Sequence, residues 1–505
     1  MNALKHNEDD HEKFVDAFKV MRKDHAVIGR SGNFVVLYLK EPMIKISEQY
    51  RSTMFPKDFS EILEFYTSGS KVHSILKFFY VEGDKLTKQL LNHLKLLTSQ
   101  RLRQLNFHLD IELNQVRSYD EVYEKILVTL QGLGIEGNRR EVIVGGSLGS
   151  ITESSYNNLF ERAKAYSIIN RVPTHLININ RVNSIVRDCK KRPGFDDLLR
   201  CKAYKAYVLN NIVQLYAKSG GIPWIPAEKL LARKVIIGLA TAKMKTSDQE
   251  KYIIGVAFSI AYFGKEIRSF VVANLYNLDV LDKSVLKTKG IYIPRETAKE
   301  LISTIAMISN QKIPDVDQYI IFQSPIIHDE EVEGLREALG GDRKWVLVHV
   351  KDSGFSKRIY DVSTSDWGPY RGVCVLDKDY LDTFKDKGFI KALLVSTGRV
   401  KMEKLKGTVE EALYRATPKP LELEICADVE GIEDNKDPLQ FVVYISRAIL
   451  LLSKLDWEAY TNWPKVPFVI KYAQRLARII ARADEDTRKK LLNTLTSSAE
   501  LRLVM

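Results

Sequence analysis

The chain has 505 residues, 45% hydrophobic and 28% charged, the make-up of a folded protein of several domains, given roughly 150 residues per domain. Lysine and arginine exceed aspartate and glutamate by 76 to 64, a net charge of +12, which permits a polyanionic partner without demanding one. The longest apolar run, Tyr252 to Gly264, falls short of the roughly 18–20 residues that cross a bilayer, so no direct membrane insertion is expected.

Met1 to Phe14 carries Lys5, Glu8, Asp9, Asp10, Glu12 and Lys13 and has no apolar core, unlike a secretory signal. Up to about residue 118, "NFVVLYLKEPMIKI" and "HSILKFFYVEG" read as strands, and "KDFSEILEFYTS" and "KLTKQLLNHLKLLTSQRLRQL" as helices. This predicts a small N-terminal α/β domain over 1–118, for support or for docking a partner. From 119 the order is strand, helix, strand, helix, as in a parallel sheet covered by helices. "REVIVGGSLGS" is a buried strand entering a glycine-rich turn at Gly145 to Ser150. That turn lacks the spacing of an ATP-binding or dinucleotide-binding loop and reads as a tight turn only. The helix "DDLLRCKAYKAYVLNNIVQLYAKSGG" ends at Gly220 and Gly221 in the manner of a C-cap. From 227, three strands in succession ("RKVIIGLATAKM", "KYIIGVAFSIAYFG", "RSFVVANLY") precede alternating helices and strands, and two long helices lie near the end. Cys189, Cys201, Cys374 and Cys426 have no CxxC spacing, so neither a zinc site nor a disulfide framework is expected, and a reducing cytoplasm fits.

Four strings occur in a telling order. They are "NIVQLYAKSGGIPW" (Asn211 to Trp224), "VIIGLATAK", "TPKPLELEI" and "TNWPKVPFVIKYAQRLA". Together they resemble the MID and PIWI domains of a prokaryotic Argonaute of the short or truncated type, since no PAZ domain is recognisable. The resemblance implies an α/β fold: a Rossmann-like MID domain over 119–226, then a ribonuclease-H-like PIWI domain over 227–505, behind the extra N-terminal domain. It also implies a pocket for the 5′-phosphate of a short guide strand.

Phe160 and Lys164 are four apart on a predicted helix and share a face, and Asn210, Gln214 and Lys218 form a polar stripe on the later helix. Fixed positive charge suits a terminal phosphate, and an aromatic face suits its base. In the family pattern Phe160, Lys164 and Lys218 fall into pocket positions, and His175 stands where a glutamine is usual. Phenylalanine has no hydroxyl for the phosphate, so position 160 keeps only stacking, while His175 replaces the amide with a ring N–H. The resemblance further implies that the terminal carboxylate of Met505 meets the phosphate through Mg2+ or another divalent cation.

Cleavage on this fold needs convergent carboxylates around two metal ions. Ala240 stands where active relatives carry the first aspartate, and Gln474 stands where they carry the last ligand. Asp352 falls near the second acidic position, with Glu410 and Glu411 as scattered acids. The reading is therefore a catalytically inactive, cytoplasmic protein that uses a guide RNA to recognise invading DNA in antiviral or antiplasmid defence. Lys234, Lys471 and Arg475 are candidate backbone contacts. The resemblance to short, inactive Argonautes implies a separate effector partner that kills the cell or degrades nucleotides in abortive infection. Two alternatives stand beside this reading: a nuclease with a rearranged metal site, and a scaffold that no longer binds guides.

Overall fold

The computed structural model describes residues 26–31, 34–45, 72–101, 107–136, 142–149, 153–190, 198–245, 251–263, 266–277, 292–313, 315–324, 326–340, 343–352, 359, 369, 371–377, 379–380, 388–397, 420–427, 438–458, 466–497 and 501–505. The charged start at Met1 to Phe14, the expected helix "KDFSEILEFYTS", and Glu410 and Glu411 lie outside the described residues.

In chain order the first half comprises β1 (Ala26–Ser31), β2 (Phe34–Leu39), β3 (Ile44–Lys45), β4 (Val72–Val81), α1 (Lys85–Arg101), β5 (Phe107–Val116), α2 (Tyr119–Glu136), β6 (Val142–Leu148), α3 (Glu153–Asn170), β7 (Thr174–Asn178), α4 (Ile179–Lys190), α5 (Lys202–Lys218) and β8 (Ile225–Pro226). The second half comprises β9 (Lys234–Lys245), β10 (Lys251–Phe263), β11 (Glu266–Asn277), α6 (Arg295–Lys312), β12 (Gln318–Gln323), α7 (Asp329–Leu339), β13 (Lys344–Asp352), β14 (Val373–Asp377), β15 (Phe389–Leu394), β16 (Leu421–Ala427), α8 (Pro438–Lys454), α9 (Phe468–Arg482), α10 (Glu485–Ser497) and α11 (Leu501–Val504).

Two main sheets organise these elements. A four-stranded sheet runs β5-β4-β6-β7 with every neighbour parallel, as the strand-helix alternation predicts. A ten-stranded mixed sheet runs β1-β2-β14-β15-β16-β13-β12-β9-β10-β11. Its β9, β10 and β11, the three strands read in succession, form an antiparallel meander, and β12 and β13 add to β9 in parallel. The near-continuous apolar runs of β9 and β12 follow from burial on both faces. Val235, Ile237, Leu239, Tyr319 and Ile321 pack in one core with Leu301 and Ile305 of α6. Ile236, Ala240, Ile320 and Phe322 belong to a second core with α8 and α9, which continues into Leu76, Phe78 and Ile143 of the smaller sheet.

Three expectations change. The boundary expected at 118 does not divide the sheets. β1 and β2 extend the large sheet, and β4 is an inner strand of the small one, between β5 and β6. The physical reason is that two strands and a helix cannot close a core of their own. Phe78 and Leu76 are fully buried only because β6 and its helices cover them. Second, Gly145 and Gly146 lie inside β6 rather than in a turn. A Cβ on Gly146 would meet Val122 and Ile126 of α2 at 2.7 Å, so that glycine serves close helix-on-sheet packing. Third, Cys189 and Cys201 are joined in a disulfide, their Cα atoms 5.8 Å apart. The chain's return from α4 to α5 brings together residues whose sequence spacing carried no such signal, and the cysteine argument for a reducing compartment falls with it. Among the described residues, no helix is long and apolar enough to cross a membrane.

A buried polar node ties the N-terminal segment to the large sheet's helical face. Arg371 donates to Glu41 (3.0 Å), to Leu450 O (2.9 Å) and to Ser453 Oγ (2.7 Å), while Lys454 pairs with Glu41 and donates to Pro42 O (2.6 Å). Trp224 Nε1 donates to Lys454 O (2.8 Å), fastening the segment between the sheets to the same helix. Burial alone would raise the Glu41 carboxyl, but Arg371 and Lys454 hold it below its ordinary value.

Helix α9 lies directly on β9 because Gly238 offers no side chain. A Cβ there would collide with the backbone carbonyl of Val469 and sit 2.8 Å from Ile470 N. Gly238→Ala should therefore lower the melting temperature, at a cost of about 1–3 kcal/mol or more, typical of overpacking. An unchanged melting temperature would show that α9 can lift away.

Candidate anion-binding site

Segments from both sheets converge on one buried pocket. Helix α3 supplies Phe160 and Lys164, and the start of β7 supplies Thr174 and His175. Helix α5 supplies Asn211, Gln214 and Lys218. Lys471 and Arg475 come from α9, Asp456 and Glu458 follow α8, and Met505 follows α11. Lys164, His175, Lys218 and Met505 are each at least 96% buried, with 1%, 1%, 4% and 1% exposure.

A chain of hydrogen bonds fixes the histidine. Asn211 Nδ2 donates to Tyr207 O (2.8 Å), which turns its Oδ1 toward His175 Nε2 (2.9 Å). His175 Nδ1 then accepts from Lys218 Nζ at 3.3 Å. These partners assign a neutral ring with its proton on Nε2. Burial, and then the Lys218 charge, hold His175 well below its ordinary pKa, in agreement with that tautomer.

Lys164 donates to Thr174 O at 3.4 Å and to the main-chain oxygen of Met505. Burial first, and the neighbouring Lys218 second, pull its ammonium well below the usual lysine range. Burial likewise brings Lys218 down to about 8, with Glu458 opposing the shift and Arg475 adding to it. Glu458 is engaged elsewhere. Arg475 grips it through two hydrogen bonds of 2.6 and 2.7 Å, and Lys471 approaches it at 3.0 Å and Asp456 at 2.7 Å. Although burial opposes ionisation, Arg475 and Lys471 keep Glu458 well below the usual carboxylate range. Four cations thus face two side-chain carboxylates and the main-chain oxygens of Met505. Buried ammonium groups of this kind are costly unless paired, and Arg475 and Lys471 already take up the two side-chain carboxylates.

Phe160 is half-buried at the edge of this pocket. The Arg475 guanidinium lies 5.4 Å and the Lys164 ammonium 5.8 Å from its ring centroid, and Tyr156 stacks beside it at 6.3 Å. Gln214 donates to Glu458 O (3.2 Å), orienting the loop that carries the carboxylate. Arg475 also donates to Val504 O (3.0 Å), anchoring the segment before Met505.

Of the residues named from sequence, Phe160, Lys164, His175, Gln214, Lys218 and Met505 meet here. Asn211, rather than Asn210, bonds His175. Asn211 and Lys218 are seven apart, two helical turns on one face, and that spacing would have singled out Asn211. Glu458 was missed because no local pattern marks it. Lys471 and Arg475 line this pocket, whereas Lys234 lies elsewhere, 5.5 Å from the Tyr444 ring.

A second locus lies where the middle of β9 meets the carboxyl ends of β12 and β13. Register pairs Leu239 with Gln323, so Ala240 follows beside Ser324, and Gln474 Nε2 donates to Ser324 Oγ at 2.8 Å. Ala240 is buried and offers only a methyl group. Asp352 is the last residue of β13, paired with Leu421, and its side chain is outside the described residues.

No protein-family model and no curated protein matches the sequence. Solved structures do match. Clostridium butyricum Argonaute, bound to a guide DNA and a 19-mer target DNA, superposes with a TM-score of 0.57 at 15% identity, over 89% of this chain and 53% of that one. The chain has the Argonaute fold. Aquifex aeolicus Argonaute gives 0.53 at 14% identity over 91% and 54%, and Drosophila Piwi gives 0.56 at 12% over 88% and 54%. The chain spans about half the length of these Argonaute structures.

The Lys218 shift predicts a pH signature. Below about pH 8 the folded and unfolded forms are both protonated, and the folded state carries the whole burial penalty. Between about 8 and the ordinary 10.5 the unfolded chain binds more protons, so stability rises with pH there. Wild type should therefore gain stability relative to Lys218→Met across that window, read as the difference in melting temperature. Parallel pH profiles would show that the ammonium is not penalised by burial.

Proposed function

We propose that the chain binds a short guide strand by its 5′-phosphate and uses it to recognise a complementary strand without cutting it. The observation that carries this reading is the pair of buried lysines, Lys164 and Lys218, both drawn below the ordinary lysine range by burial, while the nearby Glu458 is gripped by Arg475 and Lys471. A dianionic phosphate supplies opposite charge and accepts several charge-assisted hydrogen bonds. Phe160, at the pocket's edge, offers its ring to the first base. The guide's remaining phosphates give affinity independent of sequence, and base pairing gives specificity.

The cofactor proposed with the phosphate is Mg2+ or another divalent cation. The pocket's side chains are largely cationic and fit an anion. A divalent ion would be held by the main-chain oxygens of Met505 together with phosphate oxygens, adding positive charge against the strand's end. Ala240 and the neutral pair Gln474 and Ser324 support the absence of cleavage, since neither a methyl group nor an amide replaces a carboxylate that bridges two metal ions. The proposal takes RNA as guide, DNA as target, and a separate effector as the recipient of the signal in antiviral or antiplasmid defence.

Loaded with a 5′-phosphorylated guide RNA, the protein should retain a matched labelled DNA strand over a mismatched one. It should leave that strand intact in Mg2+ or Mn2+. Equal retention of both strands would remove the guided reading. Cutting at one fixed position, abolished by Asp352→Asn, would instead establish a rearranged nuclease.

A further inference from the structure

Outside this pocket, the amino ends of β4 and β5 place three metal-ligating side chains together. The two strands are parallel, and their register sets His73 directly beside His108. Side chains alternate along a strand, so Asp110, two residues beyond His108, returns to the same face. His73 Nε2 lies 3.1 Å from Asp110 Oδ2, and His108 Nε2 lies 3.1 Å from Asp110 Oδ1. The imidazole rings stand 5.1 Å apart, tilted by 35°. All three potential ligand atoms fall within 4.8 Å of one another.

We propose that His73, His108 and Asp110 form a binding site for a divalent transition-metal ion, with Zn2+ the fitting choice. With Zn–N and Zn–O bonds of about 2.0–2.1 Å, a tetrahedral site needs ligand atoms about 3.3 Å apart, and these three, all within 4.8 Å of one another on exposed side chains, reach that spacing by small side-chain rotations. Two imidazoles and one carboxylate select this class of ion over Mg2+ or Ca2+, which take oxygen ligands. Binding requires each imidazole to carry its proton on Nδ1 and to present a bare Nε2 to the metal. The side chains are 46%, 54% and 55% exposed, so an ion reaches them from solvent and keeps a coordination position open to water. β5 is the outer strand of its sheet, bonded to β4 alone. The metal would therefore cross-link an edge strand to its single neighbour, stabilising the folded state by mass action.

The test is calorimetric titration of the full, untagged chain with Zn2+, with Co2+ absorption as a report on ligand type. The expected result is one Zn2+ per chain, Co2+ bands of nitrogen and oxygen coordination, a higher melting temperature with Zn2+, and no competition by Mg2+. His73→Ala and His108→Gln should each weaken binding at least about tenfold, the loss of one ligand contact. Both positions are exposed, and circular dichroism would verify that the variants fold. No binding by wild type, or equal binding by wild type and both variants (an adventitious ion only), would overturn the proposal.

Discussion

Burying two ammonium groups beside each other is the constraint on which this molecule's functional architecture turns. Lys164 and Lys218 reach the site from different helices, and burial draws both below the ordinary lysine range. Such an arrangement persists only if the surrounding fold over-determines it, and here it does. Helices α3 and α5 are fixed by the small sheet, while α9 and the Glu458 loop are fixed by the large one. The continuous core from Phe78 through Tyr216 to Tyr472 holds the two groups of elements together.

The two loci on the large sheet are separated in chemistry. The anion pocket concentrates charge, whereas the sheet's own carboxyl-end position holds Ala240 and a serine bonded to a glutamine. This division underlies the proposal of recognition without cleavage.

Local periodicity made much of this legible. The four-residue spacing of Phe160 and Lys164 sets them on one helix face, and the resemblance to the family pattern, with its Lys218-Gly-Gly end, singled them out; the structure brings them together. Non-local relations were not legible. Asn210 and Asn211 are adjacent polar residues on one helix, and only the position of β7 decides which of them meets His175. Glu458 sits in a turn whose role depends on α9 arriving with Arg475. Which sheets the strands of 1–118 would join was not legible for the same reason. A strand's sequence states that it is buried, as with β4, but not which sheet buries it. Cys189 and Cys201 were likewise brought together by a turn of the chain rather than by a spacing motif.

The central claim is that the pocket selects a terminal phosphate. The most direct measurement is the affinity for one short single strand bearing a 5′-phosphate or a 5′-hydroxyl, at fixed salt, for wild type and for Lys164→Ala plus Lys218→Ala. Charge-assisted hydrogen bonds contribute about 1.5–3 kcal/mol each, so the phosphate should improve wild-type affinity at least about tenfold, and the double variant should lose that preference. Equal affinity of wild type for the two strands would contradict the account.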